Sequence, residues 1–263
     1  MSQYDTIETH IDERGVARIT LNRPDRRNAM NPQMIAELTE AITKVNGNAH
    51  VRCLVIAGAG KAFCAGADLN WLGDVAAMTA DELRADSGRL QALFRALVES
   101  PKLTIGRVQG AAMAGGLGLA ACCDAVVCRA DAKFSVSEVR LGLVPGVISS
   151  FLLPRLGTGA FRYEALTGRI FDAEAALRNG LIHQIADSDA ALDEGVEEHV
   201  GHALAASPAA IADCKLLLND IGAGIDPASY EKALDWNVKT RQSTSGQEGI
   251  TAFLNRRKSD WAS

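Results

Sequence analysis

Residues 108–124 read VQGAAMAGGLGLAACCD, and this stretch decides what fold the chain can form. It continues the apolar run that ends at Val108 and leads into an apolar segment that starts at Leu119. Gly115, Gly116 and Gly118 carry no side chains at this junction, so the backbone is exposed there and a helix can pack closely on a strand. We therefore predict a strand, a glycine-rich turn and a buried helix that starts near Leu119.

The pattern on both sides of this stretch alternates between strands and helices. Strands are expected at 16–21, 53–57, 103–108 and 125–128, with an edge strand at 133–136. Asn31 and Pro32 are typical of an N-cap and a first helical position, and a longer helix is expected over 79–99. The alternation predicts an α/β fold with right-handed crossovers and a mainly parallel sheet over residues 1–190. Residues 191–263 are expected to form a helical C-terminal region.

Composition excludes several classes of protein. The chain has 263 residues, of which 48% are hydrophobic and 22% charged, enough for one large domain or two modest ones. The formal net charge of −5 argues against a general nucleic-acid binder. No run approaches the ~20 apolar residues of a membrane helix. No secretory signal is visible, and the six cysteines are expected to be small buried hydrophobes, which predicts a cytoplasmic protein.

Two further motifs carry candidate chemistry. Residues 61–69, KAFCAGADL, form a glycine-containing turn after an expected buried strand, and residues 137–145, SEVRLGLVP, place a carboxylate beside apolar residues. An alternative function is dinucleotide binding, because residues 116–121 fit the pattern G-x-G-x-x-A. That motif expects an acidic residue about 20 positions later, which is where Glu138 lies. In a dinucleotide-binding unit the acidic residue ends the second strand, whereas Glu138 comes after a further strand-like stretch. A purely structural alternative is that the glycines only allow close packing of a helix on a strand. The histidines do not have the spacing of metal ligands.

Together these motifs resemble the crotonase (enoyl-CoA hydratase/isomerase) superfamily. The matching segments are LNRPDRRNAM at 21–30, FCAGADL at 63–69, VQGAAMAGGLGLAACCD at 108–124, FSVSEVRLGLVP at 134–145 and EGITAFLNRRK at 248–258. The resemblance implies a spiral of repeated ββα units with a helical C-terminal trimerisation region. It also implies an acyl-CoA thioester as substrate, no separate cofactor or metal, no nucleic-acid or membrane partner, and a homotrimer or homohexamer.

The resemblance also implies the catalytic groups. The backbone amides of Ala67 and Gly115 are expected to hold the thioester oxygen, because fixed donors stabilise charge that develops in the transition state. Glu138 matches the glutamate that exchanges a proton with the substrate. We expect Leu141, Leu143 and Val144 to bury its carboxyl and raise its pKa.

The remaining site residues bind CoA or line the acyl pocket in the family pattern. Arg26 and Arg27 can meet phosphates with charge-assisted hydrogen bonds, although a solvated surface role is the alternative for such arginines. The full set expected to bind CoA or substrate is Arg26, Arg27, Ala29, Lys61, Ala62, Phe63, Ala65, Gly66, Asp68, Leu69, Trp71, Gly116, Gly118, Pro145, Gly146, Phe253 and Arg256.

One departure from the family's sequence pattern narrows the range of expected substrates. Gly118 stands where two-glutamate hydratases carry a second glutamate that activates water. With the segments CCD at 122–124, SEVR at 137–140 and PGVISSFLLPRLG at 145–157, the chain resembles the bacterial branch that hydrates 3-methylglutaconyl-CoA or isohexenylglutaconyl-CoA. A glycine there is expected to open volume for a branched acyl chain and to spare a substrate carboxylate from repulsion. Arg84 and Arg155 are candidates to bind that carboxylate.

Other functions stay open at this stage. A single-glutamate enoyl-CoA isomerase needs no activated water, and a generic short-chain enoyl-CoA hydratase would take an unbranched substrate. A non-catalytic, RNA-binding scaffold is the alternative from another class, which the acidic residues Glu37 and Glu40 of the first helix do little to support.

Overall fold

The computed structural model describes residues 4–75, 77–222 and 227–262. Its strands are β1 Ile7–Ile11, β2 Val16–Leu21, β3 Cys53–Gly58, β4 Ala62–Cys64, β5 Leu103–Val108, β6 Ala111–Met113, β7 Ala125–Arg129, β8 Lys133–Ser135, β9 Phe171–Asp172 and β10 Gln184–Ala186. Its helices are α1 Pro32–Gly47, α2 Leu69–Val75, α3 Ala80–Val98, α4 Gly115–Ala121, α5 Gly146–Thr167, α6 Ala173–Arg178, α7 Asp189–Ala205, α8 Pro208–Ile221, α9 Pro227–Gln242 and α10 Thr244–Leu254.

The strands form two sheets that the chain visits in turn. The larger sheet has the order β1-β2-β3-β5-β7-β10, and the smaller has the order β4-β6-β8-β9. Only the pairs β1–β2 and β8–β9 are antiparallel in the described chain. Each of three successive units places its first strand in the larger sheet and its second in the smaller one before a helix follows. This repetition is the predicted spiral of ββα units, and the α/β crotonase fold is confirmed.

The sequence explains where the main elements begin and what they bury. The Asn31 side chain accepts a hydrogen bond from the Met34 amide and starts α1, and Thr79 with Glu82 forms a capping box on α3. All six residues of β3 are buried, as expected for a strand covered on both faces. The described cysteines are buried except Cys214, which is exposed on α8, so the expectation of six buried cysteines is wrong at that position.

Two expectations about secondary structure need correction. The helix expected from Leu119 already begins at Gly115. The strand near 133–136 is not an edge, because β8 lies between β6 and β9. The helix α7, which straddles the expected division at residue 190, packs on the larger sheet through Leu192 and Val196.

Candidate active site

The first candidate oxyanion amide lies in the turn after β4. This turn runs beside Met30, whose amide donates to the Gly66 carbonyl at 2.7 Å and whose carbonyl accepts from the Asp68 amide at 2.8 Å. In such a parallel pairing the residue between the two bonded ones directs its own N–H to the other side. The Ala67 N–H accordingly has no hydrogen-bond partner among the described residues.

The second candidate amide belongs to Gly115, the first residue of α4. Amides in the first turn of a helix lack an intrahelical acceptor, and the Gly115 N–H finds no other acceptor in the described part of the chain. The residue before it, Ala114, turns the chain with φ 47° and ψ −117°, a conformation rare for a residue with a Cβ atom. Its amide donates to the Ser135 carbonyl at 2.9 Å, which fixes the turn to β8.

Glycines allow the two turns to touch. A Cβ atom on Gly116 would lie 2.3 Å from the Cys64 carbonyl oxygen, and one on Gly66 would lie 3.0 Å from the Met113 carbonyl oxygen. Gly66 also has φ +94°, which side chains rarely allow. The free amides of Ala67 and Gly115 therefore belong to two turns in direct contact, an arrangement that can polarise a carbonyl group placed between them.

Glu138 is a half-buried acid of this region. It follows β8 and begins a 3-10 turn, Glu138–Leu141, that packs on α5. One carboxyl oxygen, Oε2, is shielded from solvent and has no hydrogen-bond partner in the described residues. Burial raises the pKa of this carboxyl, and its hydrogen bond with its own backbone amide offsets only part of the effect. A carboxyl with a raised pKa suits proton transfer near neutral pH.

The cause of that burial differs from the expectation. Leu141, Leu143 and Val144 are 65%, 53% and 79% exposed in this chain. Leu141 ends the 3-10 turn that Glu138 begins, and Leu143 and Val144 follow its cap Gly142, where φ is +73°. These residues therefore do not enclose the carboxyl, and the predicted contacts are wrong although the predicted direction of the pKa shift agrees.

The space beside Gly118 is filled. A Cβ atom at this position would lie 2.7 Å from Cγ2 of Ile148 and 3.1 Å from Cζ of Phe94. The expectation that glycine opens volume here is wrong, because these two side chains occupy the volume. The glycine does leave position 118 without a charged group. The two side chains that surround this position are apolar.

Two polar residues that the sequence analysis did not single out hold the turn at 21–30 against β4. Arg23 donates to the Ala29 carbonyl at 2.6 Å and to the Asp68 carboxylate at 2.9 Å. Asn28 is fully buried, and its amide nitrogen donates to the carbonyl of Ala62 at 2.9 Å. Because buried polar side chains need partners, the polar run NRPDRRN was the available signal for this role.

The residues predicted to bind CoA divide into an exposed set and a buried set. Arg26, Arg27 and Lys61 are exposed, and the Arg27 carbonyl accepts from the Ala65 amide at 3.0 Å. This bond places the two arginines next to the candidate oxyanion turn. Phe63 is fully buried in the core, so only its backbone can face a ligand.

The other predicted positions surround the same turn or lie apart from it. Ala29, Ala62 and Gly116 are buried packing positions, whereas Asp68 is already engaged by Arg23. Trp71 is 9% exposed, packs in the main core and leaves its Nε1 without a partner in the described chain. The remaining predicted positions are at least partly exposed, and they are Leu69, Pro145, Gly146, Phe253 and Arg256. Phe253 lies near the end of α10 and Arg256 just beyond it.

The fold and these motifs can be compared with known proteins. The family model described as enoyl-CoA hydratase/isomerase matches residues 12–263. The chain belongs to this family. A crotonyl-CoA hydratase of Syntrophomonas wolfei is 34% identical over 99% of both chains. A 1,2-epoxyphenylacetyl-CoA isomerase of Escherichia coli is 33% identical over 95% of this chain and 96% of its own. The crystal structure of an enoyl-CoA hydratase from Shewanella pealeana superposes with a TM-score of 0.94 at 36% identity, covering 98% of this chain and 97% of that one.

Membership of this family supports the prediction that the chain is an enzyme acting on acyl-CoA. It argues against the alternative prediction of dinucleotide binding. Glu138 lies after β8 in the smaller sheet, not at the end of the strand that follows the glycine turn. In the residues that the structure describes, no cluster of three or more histidine, cysteine or acidic side chains could hold a metal ion. No described helix is both long and apolar enough to cross a bilayer.

Proposed function

We propose that this chain is a hydratase that adds water across the α,β double bond of a branched enoyl-CoA carrying a distal carboxylate. The substrate is of the 3-methylglutaconyl-CoA or isohexenylglutaconyl-CoA type. The observation that carries the proposal is the half-buried Glu138 carboxyl, which has a raised pKa and keeps one shielded oxygen without a partner among the described groups. A catalytic acid or base has these properties before its substrate binds.

The two free amides supply the electrostatic part of the mechanism. The thioester oxygen accepts hydrogen bonds from Ala67 and Gly115. Both bonds strengthen as attack of water on the β-carbon shifts the π electrons of the double bond towards that oxygen to form the enolate. Loss of one such donor typically costs about 3 kcal/mol of transition-state stabilisation. The amides are held by the backbone contacts of Met30 and Ser135, so they need not reorganise during the reaction.

Glu138 then handles both proton transfers. Its carboxylate takes a proton from the water that attacks the β-carbon, and the protonated acid returns a proton to the α-carbon. The enolate collapses and the thioester is restored. One group must do both because position 118 carries no second carboxylate.

Residue 118 also affects which substrates can bind. A glutamate at residue 118 would repel a carboxylate on the acyl chain at close range, whereas Gly118 with Phe94 and Ile148 presents an uncharged wall. Arg26, Arg27 and Lys61 are exposed cations that suit the phosphates of CoA.

An enoyl-CoA isomerase is the second candidate. The apolar packing of Phe94 and Ile148 around Gly118 favours it, because no side chain at that position can hold an attacking water. Glu138 would instead move a proton between two carbons of the acyl chain. A 3-enoyl-CoA incubated in heavy water separates the two candidates, since a hydratase alone leaves it unchanged.

The deciding experiment measures turnover of crotonyl-CoA, 3-methylglutaconyl-CoA and isohexenylglutaconyl-CoA through the absorbance of the conjugated thioester. We expect the branched substrates to be preferred and Glu138→Gln to lower kcat by about 100-fold or more while CoA binding persists. Glu174→Gln, an exposed carboxyl on α6, is the matched control and should keep full activity. Turnover of crotonyl-CoA alone contradicts the branched substrate, and an active Glu138→Gln variant contradicts the mechanism.

We propose that the C-terminal helices assemble the chain into a homotrimer or homohexamer. Exposed apolar side chains cluster in this region, more than a solitary subunit would carry without cost. They are Leu216, Leu218, Tyr230, Leu234, Val238, Ile250, Phe253 and Leu254. Light scattering after size exclusion should give the mass of three or six chains, and Leu234→Asp should reduce it, whereas a monomeric wild type contradicts the proposal.

A further inference from the structure

Met30 lies between the two turns that carry the candidate oxyanion amides. Its backbone forms a parallel bridge with Ala67 and bonds to the residues on both sides of it. Its side chain reaches the second turn, because the Cε atom lies 2.7 Å from the position that a Cβ atom on Gly115 would take. Met30 therefore contacts the first donor residue through its backbone and the second through its side chain.

The Met30 methyl group occupies the place of a side chain on Gly115. Packed carbon atoms lie about 3.5–4.0 Å apart, so no Cβ atom fits at this distance while the methyl group stays in position. In the described chain, no other atom outside the neighbours of Gly115 and its own helix lies within 4 Å of that place. The methyl group is therefore the support of Gly115 on this side.

The Met30 side chain packs in the core and does not face the acyl site. Met30 is 1% exposed and belongs to the main hydrophobic cluster. Ala67 and Gly115, in contrast, are both half-buried. The methionine thus supports the two donor residues from the core and leaves their open side to a ligand.

The backbone of Met30 is held on both sides along the chain. The carbonyl of the preceding residue, Ala29, accepts from Arg23 at 2.6 Å. The following residue, Asn31, accepts from the Met34 amide at 2.9 Å and caps α1. A change of the Met30 side chain therefore removes the support of Gly115 and leaves the backbone bridge to Ala67 in place.

We infer that Met30 is a positioning residue whose side chain sets the separation of the Ala67 and Gly115 amides. The inference rests on the proposed use of these amides, which is the same for hydration and for isomerisation. Two donors that share one oxygen must each lie about 2.7–3.1 Å from it, so their separation decides how well both bonds form. Without the methyl group, Gly115 can shift into the vacated space, and its amide then moves away from the shared oxygen.

Met30→Ala tests the inference through the kinetics. We expect kcat for the best enoyl-CoA substrate to fall about 10- to 100-fold while KM changes less than about threefold, because a displaced catalytic group weakens transition-state binding most.

A spectroscopic signal of the bound thioester tests the same point without turnover. The probes are butyryl-CoA and 3-methylglutaryl-CoA with carbon-13 at the thioester carbonyl, which are saturated and cannot be hydrated. Hydrogen bonds to the thioester oxygen weaken the carbonyl bond, so the infrared band of the tighter-binding probe should move to lower frequency on wild type. Met30→Ala should lose much of this shift.

Met34→Ala is the matched control. Met34 is also fully buried in the main core but does not approach Gly115. Its truncation should destabilise the chain to a similar degree and keep the wild-type kcat and carbonyl band at a temperature where the variant is folded. Met30→Leu keeps most of the core volume but not the reach of the Cε atom, so it should lie between Met30→Ala and wild type. It also provides the test if Met30→Ala does not fold.

Wild-type kcat and carbonyl band in the folded Met30 variants overturn the inference, and so does an equal loss in Met34→Ala. Absence of a carbonyl shift on wild type with both probes overturns it as well. Failure of the proposed hydratase function is distinguishable, because the carbonyl shift then persists on a wild type that hydrates no enoyl-CoA.

Discussion

Ile148 occupies the space that a side chain at Gly118 would need, with its Cγ2 atom 2.7 Å from the position of a Cβ atom on residue 118. The relationship joins the first turn of α5 to the middle of α4, directly behind the candidate oxyanion turn. It explains why the family position of a second glutamate is a glycine here. Ile148, in the first turn of α5, fills the volume into which a side chain at residue 118 would extend.

The first prediction concerns this contact. Gly118→Ala should destabilise the protein by about 1–3 kcal/mol, because the added methyl group overpacks a closed site. Gly201→Ala on the exposed face of α7 has no atom within 4 Å of its new Cβ and should instead stabilise by about 0.5–1 kcal/mol. Urea unfolding of both variants measures the difference, and an unchanged or increased stability of Gly118→Ala contradicts the packing.

The second prediction concerns the backbone at Ala114. Its φ of 47° and ψ of −117° are costly for alanine and easy for glycine. Ala114→Gly should therefore raise the free energy of unfolding by about 1 kcal/mol, even after the greater entropy of unfolded glycine. Ala190→Gly, in the exposed first turn of α7, should lower it by up to about 1 kcal/mol. The same sign for both substitutions would show that Ala114 is not strained.

The third prediction concerns the pH dependence that Glu138 imposes on stability. Its pKa is raised in the folded state, so the folded chain holds its proton to higher pH than the unfolded chain does. Its contribution to stability is complete below the ordinary glutamate value of 4.5 and is lost as the pH rises through the folded pKa. Glu138→Gln should thus gain stability relative to wild type as the pH rises above 4.5. Parallel stability curves for the two proteins would show that the carboxyl is not desolvated.

The fourth prediction concerns the ion pair of Arg23 with Asp68. Asp68 is 7% exposed and follows the Ala67 amide directly, so Arg23 holds the oxyanion turn in place through this carboxylate. Asp68→Asn should cost about 1–3 kcal/mol of stability, as loss of a bond between charged groups does. It should also lower kcat more than it raises KM. Asp74→Asn, at an exposed position of helix α2, which begins directly after Asp68, is the control. A normal kcat in Asp68→Asn would separate the ion pair from catalysis.

Much of the fold could be predicted from local sequence. Asn31 with Pro32 gives the start of α1, and the continuous apolar run at Cys53 gives β3, because capping and burial leave a pattern in neighbouring residues. The division into two sheets and the short strand β9 could not be predicted from local sequence, because strands of two or three residues are too short to show a periodic pattern.

The site shows the same limit. The glycine motifs mark the turns of Ala67 and Gly115, but the side chains that enclose a group come from distant segments. Ile148 and Phe94 fill the space at Gly118 from two other helices, so the volume there was predicted wrongly. Leu143, adjacent in sequence to the acid turn, proves to be exposed. Proximity along the chain is a poor guide to what surrounds a buried atom.

The most direct measurement is a crystal structure of Glu138→Gln with a bound enoyl-CoA. The thioester oxygen should lie about 2.7–3.1 Å from the amide nitrogens of both Ala67 and Gly115. The side chain of residue 138 should face the carbons of the double bond. A thioester oxygen bound away from either amide, or a double bond out of reach of residue 138, would contradict the mechanism.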